Sequence, residues 1–180
     1  PERLVLEDAQ SPEPLPDGSL LVVRTSSKGE LRIHRFSPDS GNVSPLGPPI
    51  AAESVGVSIR ATLDGREALF WGRLAGEGAA TRPRQLHILD LASGAVRPVT
   101  PGIPIAPPYA TEPAGRSFLA TVATGDLHRL VSVSLDGSSV RGLLTVTTRP
   151  SGLSTSPDGT HYVCLSESSL EVLRFPAAGG

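Results

Sequence analysis

The chain has 180 residues, 16 Lys and Arg against 18 Asp and Glu, and a formal net charge of −2. Neither sign is gathered in blocks, so nothing in the charge pattern points to nucleic acid or an anionic membrane. No apolar stretch exceeds strand length, which excludes a transmembrane helix.

The 19 Gly and 18 Pro separate short Val/Leu/Ile runs, a pattern of turn-rich all-β structure and not of disorder. Fifteen of the basic residues are Arg, with Lys28 the sole Lys. They are spread along the whole chain, which argues against a phosphate-binding surface. Cys164 is alone, so no internal disulfide is possible. It sits in the apolar run Tyr162-Val163-Cys164-Leu165 and reads as a small packed hydrophobe. The sequence starts at Pro1 without Met and shows no signal peptide. The expectation is a trimmed or excised piece, with its compartment, cytoplasmic or extracytoplasmic, left open.

In chain order, residues 3–7 read as a lone strand. Strands then follow at 12–15, 20–23, 31–36 and 43–46, and at 57–62, 68–71, 85–91 and 96–99. The next set is 108–111, 118–122, 129–135 and 140–146, and the last is 152–155, 162–165 and 170–175. Alternation near period two supports them, as in Gln85-Leu86-His87-Ile88-Leu89-Asp90-Leu91. Runs such as Leu20-Leu21-Val22-Val23 are apolar on both faces, as a strand sandwiched between two sheets requires.

Between the first and second strand of each set a turn recurs: Leu15-Pro16-Asp17-Gly18, Thr62-Leu63-Asp64-Gly65, Glu112-Pro113-Ala114-Gly115 and Ser156-Pro157-Asp158-Gly159. The glycines are 47, 50 and 44 residues apart. A period in that range, with a tight turn feeding β sequence, marks a β-propeller blade. The chain stops after the third strand of its fourth unit, and the lone strand 3–7 is the piece that unit lacks. Around that join the glycine spacing is 39 residues.

The expected fold is therefore an all-β propeller of four four-stranded blades, roughly 10–46, 55–99, 107–146 and 152–180, forming a single module. The N-terminal strand completes the last blade, either in the same chain or in a partner copy, two chains then forming an eight-bladed ring. The strong twist that four blades demand favours the larger ring.

Ser156-Pro157-Asp158-Gly159-Thr160-His161-Tyr162-Val163 and Leu15-Pro16-Asp17-Gly18-Ser19-Leu20-Leu21-Val22 resemble the Ser-Pro-Asp-Gly-led repeat of TolB-like β-propellers. Leu89-Asp90-Leu91-Ala92-Ser93-Gly94 is similar to the third strand and turn of that repeat. Two units depart from it: Thr62-Leu63 replaces Ser-Pro, and Glu112-Pro113-Ala114-Gly115 lacks the turn Asp. The resemblance implies a module that binds proteins or peptides, or serves as sensor or scaffold in a larger bacterial protein. Such repeats also accompany receptor-type kinases and gate prolyl-oligopeptidase-like enzymes. A propeller trimmed so that assembly is its whole role is a further alternative. No catalytic motif comes with the repeat, and fold alone licenses no function.

The residues themselves signal no enzyme. Gly-x-Ser-x-Gly is absent. His34, His87, His128 and His161 are scattered, with His34 and His87 at equivalent repeat positions on the third strand, so neither metal nor cofactor is expected. Asp17, Asp64, Asp136 and Asp158 each stand alone in a turn, which explains them without calcium. The candidate interaction surface is softer. The proline-stiffened connection 101–108 offers Ile103, Ile105 and Tyr109, although packing across a blade gap explains it more simply. Glu13 and Arg60 align in the repeat near the expected channel, where they can pair. The connection 73–84 carries Arg82 and Arg84, and Trp71 before it reads as a packing residue.

Overall fold

The computed structural model describes residues 6–51, 57–76, 83–99, 103–166 and 170–175, and every regular element among them is a β-strand. The chain divides into two compact units, residues 1–98 and 99–180. The first unit holds two sheets. One runs β1 (Ala9–Pro14), β2 (Leu20–Thr25), β3 (Leu31–Ser37) and β4 (Asn42–Ile50), and the other β5 (Ile59–Ala61), β6 (Glu67–Gly72), β7 (Gln85–Asp90) and β8 (Val96–Pro98). The second unit holds β9 (Ile105–Thr111), β10 (Ser117–Thr124), β11 (Leu127–Ser134) and β12 (Val140–Val146) in one sheet. Its other sheet has three strands among the described residues, β13 (Pro150–Thr155), β14 (His161–Ser166) and β15 (Leu170–Phe175). All four are antiparallel meanders, which we call blades 1 to 4. The strand expected over 3–7 lies largely outside the described residues; Leu6 and Glu7, which are described, are not in a strand.

The recurring turn has one geometry in all four blades. The amide of the turn glycine donates to the carbonyl three residues back, at Gly18 to Leu15, Gly65 to Thr62, Gly115 to Glu112 and Gly159 to Ser156, over 2.9–3.0 Å. The glycines have φ of 83°, 67°, 65° and 82°, a left-handed conformation that costs a side-chain-bearing residue roughly 1–2 kcal/mol. The turns differ in how they close. In blades 1 and 4 the closing bond spans four residues, Leu15 to Ser19 and Ser156 to Thr160. In blades 2 and 3 it spans five, Thr62 to Glu67 and Glu112 to Ser117. That one-residue extension delays the second strand, and it keeps His34 and His87 equivalent: Val22 faces His34 and Phe70 faces His87.

Three first strands begin earlier than their sequence signals, because each contains an irregularity. Register shifts fall between Gln10 and Glu13 in β1, opposite Leu119 and Thr121 in β9, and between Pro150 and Gly152 in β13. A bulge breaks period-two alternation, and the prolines in these outermost strands cost no ladder bond. Strand β4 likewise runs on through Pro48 and Pro49 to Ile50, which pairs with Leu31.

Each unit has its own core between its two sheets. In the first, Leu21, Val23, Leu31, Ile33 and Ile50 of blade 1 meet Ile59, Ala68, Phe70 and Leu89 of blade 2. In the second, Ala110, Leu119 and Leu130 meet Leu153, Val163 and Leu165. Each such fully buried large side chain contributes about 1.5–3 kcal/mol.

Candidate functional site

In the first unit, Glu13 projects from β1 to β5. One carboxylate oxygen accepts the Ala61 amide at 2.9 Å and the other meets Arg60 Nη1 at 3.3 Å. Repeat-equivalent positions on neighbouring blades therefore join, as the sequence alignment anticipated. The guanidinium also donates to the Ile59 carbonyl at 2.9 Å, and its side chain stays 45% exposed against 17% for Glu13. The pair is a link between blades, with one wet end.

The apolar candidates are placed differently. Ile105 and Tyr109 lie on β9 and are 9% and 4% exposed, so they do not present themselves for docking. Ile103 lies just before the strand and is half-buried. Arg84 is half-buried and engaged with other groups, and Arg82 lies outside the described residues. The start of the connection carrying them is tied down, because Ala51 donates to the Arg73 carbonyl and Ala75 to that of Pro49. Trp71 and Cys164 are both half-buried.

The turn aspartates are engaged within their own turns. Asp17 accepts the amide and hydroxyl of Ser19, Asp64 the Arg66 amide and Thr62 hydroxyl, and Asp158 the Thr160 amide and Ser156 hydroxyl. Asp17 also pairs with Arg35. In the third-to-fourth strand turn of blade 3, Asp136 accepts the amide and hydroxyl of Ser138. Hydrogen bonds to the ionised form hold these carboxyls below their ordinary value, Asp136 and Asp158 at about 2. No three His, Cys, Asp or Glu side chains gather as a metal site among the described residues.

Blade 3 lacks the turn Asp, and its Glu112 takes a different course. The side chain turns inward, 7% exposed, and one carboxylate oxygen accepts hydroxyls from Ser117 and from Ser132, the latter at 2.6 Å. The other oxygen stands 3.1 Å from Nε2 of His161, the first residue of β14 in blade 4. His161 is fully buried and stacks edge-on against Phe175 at 5.1 Å. Its contact with Glu112 lacks the alignment of a good hydrogen bond, and its ring nitrogens have no other hydrogen-bonding partner among the described residues. Burial pushes the imidazole below its ordinary value, opposed by Glu112, with Arg141 adding to the depression. Sequence reading missed this cluster. Its signal was the double departure at Glu112 and Ala114, together with a His opening an otherwise apolar strand.

No family model and no curated protein matches the chain. Solved structures do. TolB from Acinetobacter baumannii aligns with a TM-score of 0.72 at 19% identity, over 98% of this chain and 43% of that one. A putative TolB from Agrobacterium tumefaciens aligns with 0.71 at 20% identity, over 98% and 62%. The chain has a TolB-like β-propeller fold. A prolyl endopeptidase structure also aligns, with a TM-score of 0.64 at 15% identity, over 94% of this chain and 27% of that one. This TolB-like chain thus spans less than two thirds of the length of each of these three structures.

Proposed function

We propose that the chain is a non-catalytic propeller module that binds proteins or peptides, as scaffold or sensor, within a larger bacterial protein. The arrangement around Glu112 carries this reading. Hydrolysis by a Ser/His/acid set requires the imidazole between hydroxyl and carboxylate, so that it can take the hydroxyl proton. Here the carboxylate is in the middle, the serines donate to it, and the imidazole is sealed from solvent. The residues in that order make a structural tie.

The test has two arms. Incubation with peptide, lactone and glycoside substrates should give no turnover, and selection from a displayed peptide library should give saturable binders. Turnover would overturn the non-catalytic half, and a library without binders the other. We also propose that two copies join to complete a larger ring. Light scattering should then give twice the 18.7 kDa chain mass, and a clean monomer refutes it.

The alternative, a substrate-gating propeller of a peptidase, draws on the likeness to a prolyl endopeptidase. A hydrolase domain encoded beside this chain would favour it over the scaffold reading.

A further inference from the structure

Blade 1 carries three cations, Arg24, Lys28 and Arg32, that form no ion pair among the described residues. Where β2 pairs with β3, Arg24 lies directly opposite Arg32. Opposed residues share a face of the sheet, with Cβ atoms roughly 5 Å apart, and like charges placed so destabilise the pairing. His34, two residues further along β3, shares that face. Lys28 stands on the turn between the two strands. Arg24 and Arg32 are half-buried, where their repulsion is screened less than in open water. His34 registers the field: burial first, then Arg24 and Arg32, push it below its ordinary value, against a bond to the Arg32 carbonyl that raises it.

These groups line one cleft of about 420 Å³. Its single acidic residue is Glu30, set against three permanent cations. Ser26 on the rim accepts the amides of Lys28 and Glu30 through its oxygen, which leaves its hydroxyl hydrogen free to donate outward. Thr25 also lines a second cleft with Asp8, Ala9 and Gln10. Two adjoining clefts suit an extended segment better than a lone ion.

We propose that this edge of blade 1 binds an acidic peptide segment. Arg24 and Arg32 each take a carboxylate of neighbouring acidic side chains, and Lys28 and the Ser26 hydroxyl contact the rim of the ligand. Guanidinium groups suit the task, because their planar fork matches a carboxylate bidentately. The ligand also removes the Arg–Arg repulsion, so binding and local stability rise together. The inference rests on the peptide-binding reading above and names the chemistry of its ligand.

Fluorescence anisotropy tests it, using a labelled octapeptide of alternating Glu and Ser, its Gln-for-Glu counterpart, and inorganic phosphate as competitor. The Glu peptide should bind saturably, the Gln peptide at least about tenfold more weakly, and added salt should weaken the first far more than the second. Arg24→Gln or Arg32→Gln should cost about tenfold in affinity without loss of thermal stability, because each relieves a like-charge contact. Arg66→Gln, in the turn at the opposite edge of its own blade, should change nothing. Equal binding of the Glu and Gln peptides would overturn the acidic chemistry while leaving peptide binding intact. Displacement by millimolar phosphate with no selectivity among peptides would reassign the cleft to a phosphoryl group and overturn the proposal. Absence of binding by either peptide also overturns it, and the library selection then decides separately whether the wider reading falls.

Discussion

Each unit uses one glutamate to tie its first blade to its second, and the two ties are built on opposite principles. Glu13 reaches from β1 to the Ala61 amide and to an Arg60 that remains 45% exposed. Glu112 reaches from the blade 3 turn to a His161 that is fully buried, and gathers two serine hydroxyls on the way. An exposed ion pair is worth about 0–1 kcal/mol, because water and salt already solvate both ends. A buried polar tie stabilises little over an apolar substitute, yet losing one partner is expensive, since the other polar groups keep their desolvation cost. The first tie is thus dispensable and the second is committed.

The largest expected effect follows directly. Glu112→Ala strands the Ser117 and Ser132 hydroxyls and His161, and should cost about 3 kcal/mol. For a chain of this size that is on the order of 10 °C in thermal midpoint. Glu112→Gln keeps a carbonyl acceptor for the serines and should recover more than half. Native-state amide exchange should speed most in β9, β13 and β14. If thermal melts place Glu112→Ala within about 1 kcal/mol of wild type, the tie is not committed and the contrast collapses.

The next effect asks what holds the first unit if its ion pair is weak. Gly65 sits with φ of 67°, and a Cβ there would stand 2.9 Å from Pro16 Cδ in the blade 1 turn. Gly18 has φ of 83° and open space around it. Gly18→Ala therefore carries only the left-handed backbone cost, about 1 kcal/mol, and Gly65→Ala should cost about 2. Denaturant midpoints that rank the two in the reverse order would remove turn-to-turn packing as the stronger link of that unit.

Much of this was legible in the sequence, and the reasons are local. The Pro-Asp-Gly-type turns announce themselves because a left-handed position and an Asp that bonds its own turn both demand particular residues. The third strands were legible because apolar and polar residues in Gln85–Asp90 and its counterparts swap with a period near two, although Leu86 to Leu89 are all buried. The first strands were blurred by bulges and proline, so β9 starts at Ile105, and Ile105 and Tyr109 prove buried. The Arg24–Arg32 juxtaposition was out of reach in principle. Two arginines eight residues apart mean nothing until the hairpin register sets them face to face. The Glu112–His161 contact depends in the same way on a crossing between blades, which no spacing encodes.

Smaller again is the expected effect of Glu13→Ala, about 1 kcal/mol at low ionic strength. It should shrink when salt is added, because the Arg60 end is wet, whereas the Glu112→Ala penalty should be nearly unchanged by salt. Chemical denaturation with urea, which leaves ionic strength free to vary, separates the two. A salt-insensitive Glu13 effect would show that its bond to the Ala61 amide, and not the ion pair, is what matters.

The smallest effect needs no change at Glu112. His161 takes up its proton at lower pH in the folded chain than its ordinary 6.5, because burial opposes the charged ring. Between those two values the unfolded chain binds more protons than the folded one, so stability is full above about 6.5 and falls as pH drops below it. His34 and His87 are depressed for the same first reason and add to the slope. The Glu13–Arg60 tie lacks a histidine. His161→Phe, which places in blade 4 the residue that Phe118 supplies in blade 3, removes one titrating group while leaving the other two. The variant should therefore lose less stability than wild type between pH 7 and pH 5.5, measured as the difference in urea midpoint across that interval. Amide exchange should localise the gain to β13 and β14. A variant whose midpoint falls more steeply than the wild type would show that His161 is already protonated in the folded chain, and then Glu112 and His161 form a true buried ion pair instead of a carboxylate beside a neutral ring; an equal fall would show that burial does not shift the ring.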